Sequence, residues 1–271
     1  MRSRLIGGAR AAVFTLIVAS VWGSMWGSIR AEAQDGAKGI DRSEPTQKVV
    51  LLELFTSEGC SSCPPADALL RQLNGTHTSQ GRLIVGISEH VTYWNSLGWQ
   101  DPFSSETYTA RQNAYASRFR LDSVYTPQVV VNGNRQLVGS DRAGLIKAIE
   151  EEDVDLPITL HISSAVVQGR SLRLTFLASG AESLRGADIL AAVVDDLEQS
   201  NVLRGENSGR RLAHVAVARS LARVARLQTA AEQTVEIALP SDFEAKAGHH
   251  VILFAQTSGS GPVLGAAARA L

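Results

Sequence analysis

The amino-acid sequence predicts an α/β domain followed by an all-β, sandwich-like domain. Three observations carry this. Over residues 48–153, apolar runs of strand length alternate with segments whose apolar residues recur at helical spacing. After Pro157 the texture changes to short alternating runs divided by turn residues. Between the two lies an acidic run, Glu150 to Asp155 (EEEDVD), which reads as a linker. The predicted units are therefore 48–153 and 157–271. The 271 residues carry a formal charge of -1, with 44% hydrophobic and 20% charged residues, which excludes a disordered or fibrous chain. Two cysteines make neither a disulfide-dense scaffold nor a four-thiolate zinc site. The near-zero charge gives no reason to expect nucleic acid as a partner.

The chain opens on an export leader. Arg2, Arg4 and Arg10 form a basic start, Ala11 to Val21 is an apolar run, and Ala31-Glu32-Ala33 has the small-x-small pattern of a processing site. Cleavage after Ala33 removes residues 1–33 and leaves 22 basic against 26 acidic residues, a charge of -4. The apolar stretch is short and interrupted by Gly23, Ser24 and Gly27, so a leader is favoured over a membrane anchor. The expected destination is the periplasm or the exterior, with no membrane contact once the leader is gone. Residues 34–47 are polar and read as a disordered lead-in.

Val49 to Phe55 (VVLLELF) is the kind of run buried on both faces of a sheet. Cys60 to Leu73 follows as a helix with Leu69, Leu70 and Leu73 on one face. Leu83 to Ile87 is a second buried strand, and its helical crossover makes it parallel to the first. Ser104 to Arg120 is helical. Val129 to Val131, the turn Asn132-Gly133-Asn134 and Gln136 to Val138 form a hairpin. Asp141 caps a helix carrying Leu145, Ile146 and Ile149. In the second half Ile158–Ile162, Leu172–Phe176, Ile189–Val194, Val215–Val217, Thr234–Ala238 and Val251–Ala255 read as strands, while Ser220 to Leu227 (SLARVARL) is compatible with a helix.

The chemistry centres on Cys60-Ser61-Ser62-Cys63. A C-x-x-C pair after a buried strand and at a helix start is the strongest motif in the chain. Amide N–H groups and the helix dipole at such a start stabilise a thiolate, the attacking species in disulfide exchange. Cys60 is thus the expected nucleophile, with its sulfur exposed, and Cys63 the resolving thiol. Two other readings stay open: a static disulfide that pins the turn, and a metal site completed by His90 or another donor. So short a closed loop lends little entropic stabilisation, which favours reactivity. Thr126-Pro127 precedes a strand. In proteins resembling thioredoxin a cis proline here faces the cysteines, so Thr126 and Pro127 are expected to border them and position substrate. Glu89 to Phe103 (EHVTYWNSLGWQDPF) should emerge beside Cys60 and brings His90, Tyr93, Trp94 and Trp99, either as a substrate wall or as a cover over one end of the core. Glu53 and Glu58 lie near the site, Glu53 either as a buried carboxylate tuning the thiols or on an exposed edge.

VLLELFTSEGCSSCPPADAL (50–69), HVTYWNSLGWQDPF (90–103), Arg111-Gln112 with Tyr115, YTPQVVVNG (125–133) and GENSGR (205–210) resemble the secreted thioredoxin-like family known as domain of unknown function 1223. The resemblance implies a thioredoxin-like α/β domain and no established reaction. There is no Trp directly before Cys60, and Ser-Ser stands between the cysteines, so a redox direction is not inherited. Gly205 to Gly209 reads as a structural turn in preference to a ligand loop, and one that could dock onto the first domain. His214, His249 and His250 form only a weak metal idea, because neighbouring strand residues point to opposite faces. No cofactor motif is present. The expected activity is thiol–disulfide exchange on protein or peptide thiols, with a non-enzymatic binding module holding a structural disulfide as its rival.

Overall fold

The first strand, β1 (Val49–Thr56), is buried at all eight positions because it lies inside a sheet covered on both faces. It pairs in parallel with β2 (Leu83–His90), in register from Val49↔Leu83 to Thr56↔His90, and antiparallel with β3 (Gln128–Val131). The computed structural model describes residues 48–271 except 153, 229–230 and 245–247. The expected leader (1–33) and lead-in (34–47) lie outside the described residues.

Helix α1 (Pro64–Leu73) connects β1 to β2, and α2 (Glu106–Phe119) connects β2 to β3. The hairpin continues into β4 (Arg135–Val138), with Asn132 and Gly133 at positive φ, as its turn sequence demands. Helix α3 (Arg142–Glu151) starts at Asp141, whose carboxylate accepts from the Gly144 N–H at 3.0 Å. Then follow β5 (Ile158–Gln168), β6 (Ser171–Gly180), β7 (Asp188–Asn201), β8 (Arg211–Arg226), β9 (Ala231–Ala238), β10 (His249–Gln256) and β11 (Val263–Ala270).

The predicted class, an α/β thioredoxin-like domain followed by an all-β sandwich, is overturned by the strand topology. The described chain is mostly β. One eight-stranded mixed sheet runs β11-β10-β7-β8-β2-β1-β3-β4 through both halves of the sequence, and a three-stranded sheet runs β5-β6-β9. The joint is the parallel pair Ser88↔Val217 between β2 and β8. Periodicity identifies strands and faces but not their partners across a long sequence gap, so it splits at Pro157 what hydrogen bonding joins. Ser220 to Arg226 is strand, the continuation of β8 against β7.

Alternation along β1 sorts the core. Val50, Leu52 and Leu54 pack on α1 and α3 through Leu69, Leu70, Leu145 and Ile149. Val49 and Leu51 face the other way, with Ile87, Tyr108, Val194 and Phe254. A third cluster fills the space between the small sheet and β7 and β10, with Phe176, Leu174, Ile189 and Leu253. The large sheet curls until its far strand meets the β3–β4 turn: Val263 N donates to Asn132 O at 2.8 Å. A side chain at Gly133 would stand 2.5 Å from the Gly261 carbonyl, so the turn needs glycine there for space as well as for its φ of +60°.

A buried polar lock spans this curl. Arg111 on α2 donates to Glu53 Oε1 at 2.5 Å, to Tyr115 Oη at 3.1 Å and to Gln256 Oε1 at 3.0 Å. Tyr115 donates to Glu53 Oε2 at 2.5 Å. Burial opposes the guanidinium charge, but Glu53, Tyr115 and Glu89 hold it charged. Glu89, fully buried with no hydrogen-bond partner for its carboxyl, is pushed well above the usual carboxylate range by burial and by Glu53, against the pull of Arg111. Glu53 therefore serves this lock, hydrogen-bonded to Arg111 and Tyr115.

Candidate functional site

The turn after β1 carries the cysteines, and the sequence explains its shape. Cys60 N donates to Ser57 O and Cys63 N to Cys60 O, both at 3.2 Å, and Cys63 becomes the residue before α1. Pro64 and Pro65 then occupy the first helical positions, where missing N–H groups are tolerated. Cys60 and Cys63 are joined in a disulfide, with Cα atoms 5.4 Å apart.

The exposure expected of Cys60 is corrected: both cysteines are fully buried, while Ser61 and Ser62 between them are exposed. The helix tip is also poorer in amides than the motif suggests, because two prolines remove donors and the Cys63 N–H is spent on Cys60 O. Residues 202–210, the connection between β7 and β8, rest on the backbone of this turn. Asn207, itself fully buried, donates from Nδ2 to Glu58 O at 2.8 Å and to Cys60 O at 2.9 Å. Its Oδ1 accepts from Arg210 at 2.7 Å, which fixes the orientation of the amide. Glu206 accepts from the Ser61 N–H at 3.0 Å, and the Ser61 side chain together with this N–H holds its carboxyl below its ordinary value.

Thr126 lies beside the turn between the cysteines. The Thr126–Pro127 bond is cis, and Ser62 Oγ lies 3.5 Å from Thr126 O and 3.3 Å from Cys60 Sγ. Trp94 Nε1 donates to Thr126 Oγ1 at 2.7 Å. Trp99 Nε1 donates to Glu58 Oε2 at 2.8 Å, and Tyr93 donates to Gln112 at 3.2 Å. All three rings are half-buried. Gly59 lets the Trp94 chain approach: a β-carbon there would stand 3.1 Å from Trp94 Cβ.

His90 is fully buried, with Nδ1 at 2.7 Å from Asp101 Oδ2. Burial would raise Asp101, but His90 and the N–H groups of Glu58 and Phe103 hold it below its ordinary value.

Three residues that the motif reading did not place complete the site. His214 on β8 sits with Nε2 3.5 Å from Glu58 Oε1 and Nδ1 3.5 Å from Asp67 Oδ2, its ring edge-on to His90 at 4.7 Å between centroids. Burial opposes a charge on His214, yet Asp67 and Glu58 raise it to about 10, so it is an imidazolium at neutral pH. Asp67 also accepts from Thr56 Oγ1 at 3.0 Å, and Ser200 donates to Glu58. The residues that flank the cysteine turn in sequence thus share one buried cation. His249 pairs instead with Asp195 at 2.7 Å and His250 with Asp196 at 2.5 Å, so the three histidines do not converge. Among the described residues no group of three or more His, Cys, Asp or Glu side chains is placed to hold a metal ion. No helix among them is long and apolar enough to cross a membrane.

With this geometry in hand, relatives can be compared. Residues 51–256 match the profile of a family described as "Protein of unknown function (DUF1223)". The chain belongs to this family. The crystal structure of an Agrobacterium tumefaciens protein is similar at 28% identity, with a TM-score of 0.60 over 83% of this chain and 95% of that one. HBP35 of Porphyromonas gingivalis has the same TM-score of 0.60 at 16% identity, over 84% of this chain and 76% of that one, a likeness of fold alone. No functionally curated protein matches the sequence.

Proposed function

We propose that this family member is an exported protein whose Cys60–Cys63 pair exchanges disulfides with protein or peptide thiols. One observation carries the reading: an outer loop holds the backbone of the cysteine turn through polar contacts, while the two residues between the cysteines face solvent. A disulfide kept only to pin a turn has no need of such a polar overlay. Export rests on the basic start, the apolar run and Ala31-Glu32-Ala33.

In the exchange, a thiolate of the partner attacks Cys60 Sγ, the Cys60–Cys63 bond breaks, and Cys63 leaves as a thiolate. A second thiolate of the partner then attacks its own sulfur in the mixed disulfide and frees Cys60, so the partner is oxidised by two electrons and the pair reduced by two. Run backwards, Cys60 attacks and Cys63 resolves. Thr126 with the rings of Trp94 and Trp99 walls the approach.

The test is a Cys63→Ala variant of the mature chain. It should accumulate a mixed disulfide at Cys60 with a disulfide-bearing protein or with oxidised glutathione, the partner's other sulfur leaving as a thiolate, seen as a mass shift that a reductant reverses. A Cys60 that stays unmodified in the folded variant contradicts exchange. The complete burial of both sulfurs favours a second reading, a binding module with a structural disulfide. Retained partner binding in a Cys60→Ser, Cys63→Ser double variant would select it.

A further inference from the structure

We infer that residues 202–210 are an autoinhibitory plug on the dithiol centre, standing where a segment of the protein substrate lies during exchange. The inference rests on the exchange reading above and goes beyond it by naming what blocks the site and what displaces it.

The loop is closed on itself. Gly209 N donates to Val202 O at 2.8 Å, Val202 N to Arg210 O at 3.0 Å, and Arg210 N to Asn207 O at 3.1 Å. It therefore keeps its own backbone bonds whether or not it rests on the cysteines. Gly205, at φ +74°, packs beside Trp99, whose Cβ would stand 3.2 Å from a side chain at that position. Of its nine residues only Val202 and Asn207 are buried.

Its hold on the cysteine turn is polar: Glu206 on the Ser61 N–H, and Asn207 on the carbonyls of Glu58 and Cys60. Water replaces such bonds at small net cost once the surface is open, so the cover is removable in a way that core packing is not. Lifting it uncovers one amide and two carbonyls along residues 58–61. An extended peptide meets that pattern with a carbonyl or carboxylate for Ser61 and N–H donors for the other two, as a strand meets a sheet edge. The substrate class is thus an extended protein segment whose backbone replaces the Glu206 and Asn207 contacts while its sulfur reaches Cys60.

The test measures how fast dithiothreitol reduces the disulfide in the folded full-length protein at neutral pH, by alkylation and mass shift. Wild type is compared with Asn207→Ala and Glu206→Gln. Asn207→Ala should speed reduction about tenfold or more, and the exposed Glu206→Gln about threefold. If Asn207→Ala does not fold, Glu206→Gln decides alone: acceleration supports the plug and an unchanged rate overturns it. Equal, fast reduction in all three proteins overturns the plug and leaves the exchange reading standing. Equal resistance in all three overturns both.

Discussion

Two buried ionic clusters stand five residues apart along the chain, one built on Glu53 and one on Glu58, and they are constructed differently. Glu53 is bound by Arg111, Tyr115 and, through them, Gln256, all on regular elements of the core. Glu58 lies in a turn. Its partners are Trp99 from one loop, Ser200 from the end of a strand and His214 from β8, while its carbonyl is held by Asn207 from an exposed loop. The first cluster ties elements together and offers solvent nothing. The second connects the cysteine turn to an exposed loop. On the reading proposed above, a buried charge network marks function only where it touches a removable segment.

The comparison is broken most severely at Arg111. Arg111→Met strands the buried Glu53 carboxylate, and we expect a loss of about 3–5 kcal/mol in urea denaturation. A loss below about 1 kcal/mol would mean that the Glu53 cluster is no lock. The Glu58 cluster is probed by pH. His214 is raised to about 10 in the folded protein against an ordinary value of about 6.5, so its stabilisation is complete below pH 6.5 and is lost as pH rises through 10. Denaturation midpoints across that window should fall, with a slope of at most about 1.4 kcal/mol per pH unit, and His214→Asn should flatten the decline. An unchanged slope in the variant would remove the imidazolium from the site.

A finer test is Asn207→Ala, which removes the donor to two carbonyls. A core role predicts about 3 kcal/mol and a removable cover about 1 kcal/mol, because water reaches the carbonyls when the loop lifts. Chemical denaturation of the oxidised protein separates the two. Smallest of all, Glu206→Gln should leave stability within about 0.5 kcal/mol in the same assay, since the residue is exposed. A larger loss would make the loop part of the fold.

Much of this was legible in the sequence. The three helices, the parallel β1–β2 pair and the Asn132-Gly133 hairpin follow from local spacing and turn chemistry, whereas Thr126-Pro127 is placed near the cysteine turn only by resemblance to thioredoxin. What stayed hidden is non-local. Ser88↔Val217 joins strands that no periodicity pairs, and that joint turned two expected domains' strands into one sheet. The strand Val263–Ala270 is Ala- and Gly-rich and carries little β signal. SLARVARL has helical spacing but lies against β7 as strand, where pairing overrides propensity. His214 meets Glu58 and Asp67 only through folding, and Asn207 is buried by an interaction with a distant turn, so neither leaves a mark in its own neighbourhood. GENSGR was visible as a motif, and only the fold shows what it covers.

The central claim is that the Cys60–Cys63 bond is a working redox couple. Equilibrating the folded protein in glutathione buffers of graded ratio, and counting free thiols at each, measures its potential directly. The account predicts interconversion with a midpoint above about -300 mV, within reach of biological thiol pools. A pair that stays fully oxidised across the whole series, with the protein folded throughout, would contradict it and leave a structural staple.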